Sequence, residues 1–434
     1  MKIKKPLYVL VIVLCLLLLS ACGQQETQNN LNFAAQQLTR DELLADYDAM
    51  WQNMYESYPF WGVLERSRPD NPDYYRSVIV QYRQQLQDST QTGDLLMLEF
   101  VEIIANSLYE VCGTVGHVSI INADYFRDNL ALYTLYAKEM PELEPWLEVL
   151  EKPEVAEFYS YYDFLMQLWL EQAGLTNEPS DNETNNEFDE EAVEPPANLY
   201  MNKIGKNNQT AYIYVNSFAD DFIAVDVPQI QAFLQTISDC DNLIIDIREN
   251  GGGNTAYWEQ AFVSPNIEQP LQSRLVRLMR DTDLTQKFYG SDYAASGLTL
   301  EQVKNSANMA NLPKGDLTGL TLAREILVSI EPENNEQPFD GQIWLLVGPQ
   351  VYSSAESFAV FCKQTSFATL VGQPTGGSNS GGGIFYELPN THLLVEFDVE
   401  YCLNDDGSCN MEVGTQPDIV AEEALGAVLA LIEK

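Results

Sequence analysis

The chain has 434 residues, 45% of them hydrophobic, with 23 Lys and Arg against 64 Asp and Glu and a formal net charge of -41. That apolar content can bury one large core or two smaller ones and excludes a wholly disordered chain, while a field of this sign repels phosphate backbones and excludes nucleic-acid binding. Histidine is confined to His117 and His392, and the sequence holds no zinc-site spacing, P-loop or dinucleotide-binding glycine fingerprint, so neither a metal nor a cofactor is expected.

Residues 1–21 read as an export leader. Lys2, Lys4 and Lys5 precede an apolar run from Leu7 to Leu19, which is too short for a comfortable membrane span. Leu19-Ser20-Ala21-Cys22 is similar to the bacterial lipobox, in which the cysteine is lipidated and becomes the new N-terminus. A plain secretory signal with an incidental cysteine is the alternative. The expectation is a lipid on Cys22, a Gln- and Asn-rich flexible tether over 22–38, and a folded part held at the extracytoplasmic face of a bacterial membrane. Beyond the leader and Cys22, five cysteines remain: Cys112, Cys240, Cys362, Cys402 and Cys409. An odd number argues against a full disulfide framework. Cys402 and Cys409 flank an Asp405-Asp406-Gly407 turn, and a disulfide closing that hairpin is expected.

Thr39 and Glu42 fit a capping box, after which Leu44, Tyr47, Trp51, Met54 and Tyr58 recur at helical spacing. Asp94 to Leu108 is apolar and long enough for a core helix, and Gly113 and Gly116 then suggest a turn into a strand, leaving His117 near the edge of an element. Residues 126–172 add more helix, so 39–175 form a mainly helical region carrying His117. The segment 176–197 is acidic and Pro-bearing, a linker or surface loop. From 198 to 434 the pattern changes. Ala211–Val215, Leu243–Ile247, Ile343–Val347, Thr369–Gly372 and Leu393–Val399 read as strands. Val227–Ile237, Leu320–Ile330, Ser354–Gln364 and Ile419–Ile432 fit helices. Alternation of this kind argues for an α/β core built on one sheet system.

Three segments of that core can carry chemistry. Asp246-Ile247-Arg248-Glu249-Asn250-Gly251-Gly252-Gly253 delivers successive glycines at the end of a buried strand, where backbone N–H groups can approach a ligand, or it is a tight turn. Gly348-Pro349-Gln350-Val351-Tyr352-Ser353-Ser354-Ala355-Glu356 places Ser353 at a helix N-terminus, either as an activated hydroxyl or as a simple cap completed by Glu356. Val371-Gly372-Gln373-Pro374-Thr375 opens a glycine-rich loop that runs to Gly383.

In this order the segments resemble the C-terminal-processing, or tail-specific, serine peptidase family, including its tricorn-core branch. Asp246 to Gly253 is similar to the family's Asp-Leu-Arg-x-Asn-x-Gly-Gly segment. Ser353-Ser354-Ala355-Glu356 is similar to its nucleophile turn, and Val371 to Thr375 and Pro417-Asp418-Ile419 to two further landmarks. The resemblance implies a ClpP/crotonase-like catalytic core in which Ser353 is the nucleophile. Ser354 is its neighbouring rival, and the N–H groups of Ser354 and of Gly252 or Gly251 form the oxyanion hole. Ser378 stands where one branch has its activating lysine, so the tricorn-like version is implied, with His117 as general base and Glu412 as its carboxylate; Asp418 and Glu400 are rivals for that last role. A serine hydroxyl needs such help because it is a weak nucleophile near neutral pH: in this version a neutral imidazole takes its proton, and a carboxylate holds the ring and stabilises its cation. Residues 126–197 lack the PDZ module common in the family. The implied activity is a serine endopeptidase acting on peptides or unfolded proteins, and the alternative is a catalytically idle peptide- or lipid-binding lipoprotein of the same fold.

Overall fold

The computed structural model describes residues 33–172, 198–306, 309–333 and 338–433. The expected leader, Cys22 and the acidic segment 176–197 lie outside them. Among the described residues twelve strands form three sheets: β1 (Ser119–Ile120), β2 (Leu199–Ile204), β3 (Thr210–Val215), β4 (Asn242–Asp246), β5 (Leu271–Arg280), β6 (Leu320–Ile330), β7 (Gln342–Val347), β8 (Thr369–Gly372), β9 (Ile384–Glu387), β10 (Leu394–Phe397), β11 (Glu400–Leu403) and β12 (Ile419–Val420).

The largest sheet has the order β12-β8-β7-β4-β3-β2 and is parallel except for the edge pair β2 and β3. Its middle strands are apolar along their length because both faces are covered. Helices Asp220–Leu234 and Ser354–Thr365 pack on one face, and the C-terminal helix Ala424–Ile432 sets Ala424 and Val428 against Ile244, Leu346 and Val371 on the other. In a parallel sheet neighbouring strands end side by side, so the loops that follow β4, β7 and β8 emerge together at one edge.

The N-terminal half is helical, with Arg40–Ser57, Trp61–Ser67, Tyr74–Asp88, Asp94–Cys112, Ala123–Tyr136, Glu144–Leu150 and Pro153–Gln172. The capping box of the first is present, with the Thr39 side chain accepting from the Glu42 N–H and Glu42 reaching back to Thr39. Its apolar core is continuous with residues of β5, β9, β10 and β11. The link is also a ladder: β1 pairs antiparallel with β10, Ser119 opposite Glu396.

Five expectations need correction. The strands divide among three sheets rather than one sheet system. The segment Ile419–Ile432 opens as strand β12, and only Ala424–Ile432 is helical. Leu320–Ile330 is a strand, not a helix; Thr321, Ile326, Val328 and Ile330 are β-branched, and the segment pairs with β5 in a long hairpin that the period-based reading missed. The tether does not reach residue 38, since Ala34–Gln37 form a short turn of helix and the Phe33 ring packs 5.1 Å from that of Tyr161. Cys402 and Cys409 are free buried thiols. The turn between them exists, with Gly407 N–H donating to the Asn404 carbonyl, but Leu403 is the residue facing Cys409. Side chains alternate along a strand, so Cys402 points to the other face, where its thiol meets the Asn379 carbonyl at 2.8 Å.

Candidate active site

The loops after β4, β7 and β8 meet at Ser353. After β7 the chain turns at Gly348-Pro349 and enters the helix Ser354–Thr365 through Ser353, whose backbone lies at φ 55° and ψ -123°. A non-glycine residue there is strained by roughly 1–3 kcal/mol and persists only where its surroundings hold it. The Ser353 side chain makes no capping bond, and Glu356 faces away, buried against Asn410 Nδ2 and Thr415 Oγ1, both at 2.6 Å. The simple-cap alternative is thereby removed. The neighbouring Ser354 is 4% exposed with its Oγ turned inward.

The loop after β4 supplies Gly252 at φ +113°, so close that a Cβ would stand 2.8 Å from Ser353 Cβ and 3.0 Å from Ser354 N. Only glycine fits there. Its own N–H, however, donates to Asn250 Oδ1 at 2.9 Å, so Gly252 is not the free donor that was expected. Neither Ser354 N–H nor Gly251 N–H has a partner among the described residues. The loop after β8 closes the group: Ser353 N–H donates to the Gly377 carbonyl at 3.3 Å, and the next residue, Ser378, brings its Oγ to 3.2 Å from His117 Nδ1.

His117 reaches this place from the N-terminal half, just ahead of β1. Its Nδ1 is 2.9 Å from Asp398 Oδ2, and its ring lies 4.9 Å from that of Tyr352. Asp398 follows β10 and is fully buried; its N–H donates to the Gly116 carbonyl at 2.7 Å, and its Oδ2 also accepts from Ser380 Oγ at 2.8 Å. Burial of the imidazole works against its cation, but the charge and hydrogen bond of Asp398, with Glu396 nearby, raise the His117 pKa above its usual 6.5. With Nδ1 engaged, Nε2 is the nitrogen left for a proton from Ser353, although no hydrogen bond joins Ser353 Oγ to the ring.

Glu412 is not at the imidazole. It pairs with Arg66, Oε1 on Nε and Oε2 on Nη2, both at 2.7 Å, because its short helix Asn410–Val413 presents it to the N-terminal helices. Its rivals are also engaged: Asp418 pairs with Lys363, and Glu400 lies between Arg277 and Arg324. The carboxylate at His117 is Asp398, which the sequence reading missed. The signal was Glu396 and Asp398 set two apart in the otherwise apolar run from Leu393 to Val399.

The model of peptidase family S41 matches residues 209–421. This chain carries a peptidase family S41 domain. The S41 family is one of serine-type peptidases, and this domain supports a serine peptidase function acting on peptide or protein. Among solved structures, this chain is similar to a candidate peptidase from Parabacteroides merdae at 17% identity and a TM-score of 0.49, covering 90% of this chain and 97% of that one. It is similar to mature CPAF complexed with lactacystin at 13% identity and 0.48, covering 91% and 98%. To the photosystem II D1 C-terminal processing protease it is similar at 16% identity and 0.32, covering 52% and 46%. No curated protein matches the chain.

Proposed function

We propose that the protein is an extracytoplasmic, membrane-anchored serine endopeptidase of the tricorn-like branch. It cleaves peptides or unfolded proteins through an acyl-enzyme on Ser353, with His117 as general base and Asp398 as the residue that holds it. The observation that carries this reading is the backbone of Ser353. Its positive φ keeps the hydroxyl out of the helix cap and beside the loop that bears Ser378 against the His117–Asp398 pair.

In the first step His117 Nε2 accepts the Oγ proton as Oγ attacks the scissile carbonyl. Asp398 takes the Nδ1–H bond and stabilises the imidazolium that results. The oxyanion of the tetrahedral intermediate falls to Ser354 N–H at the positive end of its helix, with Gly251 N–H as the second donor. The imidazolium then protonates the leaving amine, and water, activated by the same nitrogen, releases the acyl group. No metal or cofactor enters these steps.

One observation favours a second reading, an idle binding lipoprotein of the same fold: Ser353 Oγ and His117 are not hydrogen-bonded. Such contacts are commonly loose without substrate and tighten when it binds. Intact mass of a soluble form beginning at Gln24, with and without a fluorophosphonate probe, decides between them. A single adduct absent from Ser353→Ala and His117→Ala supports the peptidase, and saturable peptide binding with no adduct supports the idle protein. The anchor has its own test. Cys22→Ser should move the protein from the membrane to the soluble fraction, and continued membrane retention would overturn that part.

A further inference from the structure

Glu396 lies in strand β10, opposite Ser119, and Asp398 follows just past the strand's end, where its N–H donates to the Gly116 carbonyl. Both acids are close enough to His117 to act on its charge. Asp398 is committed to the imidazole. Glu396 is different: among the described residues no Lys or Arg pairs with it, and its carboxylate has only neutral donors, a long 3.4 Å hydrogen bond from Tyr125 Oη and the backbone N–H of Gly383 beside it. Gly383 closes it on one side, where a Cβ would stand 2.4 Å from Glu396 Cγ. Toward solvent it is bordered by Tyr125, which is 41% exposed, and by Tyr133.

We propose that Glu396, with the rings of Tyr125 and Tyr133, forms a subsite for a basic side chain, Lys or Arg, of the substrate close to the bond that is cleaved. A half-buried carboxylate in a chain so rich in acids lacks the cation it would ordinarily hold. A guanidinium or ammonium group supplies the charge and the hydrogen-bond donors. The negative field of the whole molecule draws in the same substrates. This inference rests on the proposed peptidase reading of Ser353.

The groups facing Glu396 are His117, Asp398, Tyr125, Tyr133 and Tyr352. Burial, offset by the His117 charge and reinforced by that of Asp398, pushes its pKa up to about 7. Selectivity for basic residues is therefore complete only where Glu396 is ionised and fades as pH falls through neutrality.

Quenched peptides that differ only in Arg or its neutral isostere citrulline, walked across successive positions, test the proposal on the wild-type protein. At about pH 8, kcat/KM for Arg should exceed that for citrulline by about tenfold or more at one position near the cleaved bond. The ratio should decline toward one by about pH 6 and should be near one at both pH values in Glu396→Gln. A wild-type ratio near one at every position, or an unchanged ratio in Glu396→Gln, overturns it. Should that variant fail to fold, the wild-type pH titration decides, and a ratio constant from about pH 6 to 8 overturns the proposal. Fluorophosphonate labelling of the wild type separates the two claims. A labelled serine with no Arg preference sinks the subsite alone. Without label or cleavage the catalytic reading falls, and calorimetry with the same peptides then tests the subsite: about tenfold tighter Kd for Arg is expected, and equal Kd overturns it.

Discussion

Replacing Asp398 with Asn tests the candidate catalytic group most directly. The carboxylate is fully buried, with Oδ2 at 2.9 Å from His117 Nδ1 and 2.8 Å from Ser380 Oγ. Accepting from Nδ1–H fixes the neutral ring in the tautomer whose Nε2 lone pair is free for a proton. An amide that turns its NH2 to the ring reverses this, since Nδ1 must then accept and the proton moves to Nε2, where it blocks the base. In Ser-His-Asp enzymes that exchange costs about 10⁴-fold in kcat, equivalent to about 5 kcal/mol of transition-state stabilisation. The pH profile adds a readout that a purely structural role would not move. The base works only when neutral, so activity rises as pH passes the His117 pKa, which Asp398 holds above 6.5. Removing the carboxylate leaves burial, which favours the neutral ring, opposed only by the smaller effect of Glu396, so the midpoint should move to lower pH while the plateau collapses. The comparator is Glu412→Gln. Arg66 keeps Asp316, and the lost pair is partly exposed, so kcat/KM should stay within about threefold of wild type. The assays are kcat/KM on a quenched peptide and the rate of fluorophosphonate labelling, each against pH. An Asp398→Asn enzyme with more than about a tenth of wild-type kcat/KM, or an equal fall in Glu412→Gln, would refute the assignment.

Gly252→Ala puts a Cβ 2.8 Å from both Ser353 Cβ and the Tyr352 carbonyl at φ +113°, so labelling should slow by about 100-fold with a lowered Tm; wild-type labelling kinetics would contradict the packing described. Glu356 is buried with its pKa raised to about 7, so the folded state binds its proton more tightly than the unfolded chain. This stability is present in full below about pH 4.5 and is lost as pH rises to about 7, roughly 3 kcal/mol. Denaturation midpoints against pH should therefore fall less steeply in Glu356→Gln, and parallel curves would refute the argument. Glu400→Gln leaves Arg277 and Arg324 facing each other without their shared carboxylate and should cost about 3–5 kcal/mol by urea titration, a loss below about 1 kcal/mol counting against it. Alkylation of the unfolded Gln24 form without reductant should modify all five remaining cysteines, Cys402 and Cys409 included, and recovery of only three adducts would restore the disulfide.

The central strands were legible because they are buried on both faces and read as unbroken apolar runs, Leu243 to Ile247 and Ile343 to Val347. The turns that follow them were legible through their glycines and serines. The β5–β6 hairpin was not, because Leu320–Ile330 carries a spacing of apolar residues that both periods accommodate. The carboxylate at His117 was hidden for another reason. Its partner is chosen by the pairing of β1 with β10, a contact between distant parts of the chain, and nothing near Pro417-Asp418 reports it. Glu412 had only its place in the sequence to recommend it. The cysteine pairing failed on parity, since one residue of offset along a strand reverses the face.

The separation of His117 from Asp398 by 281 positions bears on when the molecule can act. During synthesis the imidazole emerges early and waits, without the partner that sets its tautomer, until nearly the whole chain has followed. Local elements such as the capped N-terminal helix can form in the meantime, but the long-range ladder between β1 and β10 must wait for Phe397 and then close against the entropy of a large loop. On the proposed reading, hydrolytic competence thus becomes a certificate of completed folding, and a half-made copy would carry Ser353 without the means to use it on its neighbours.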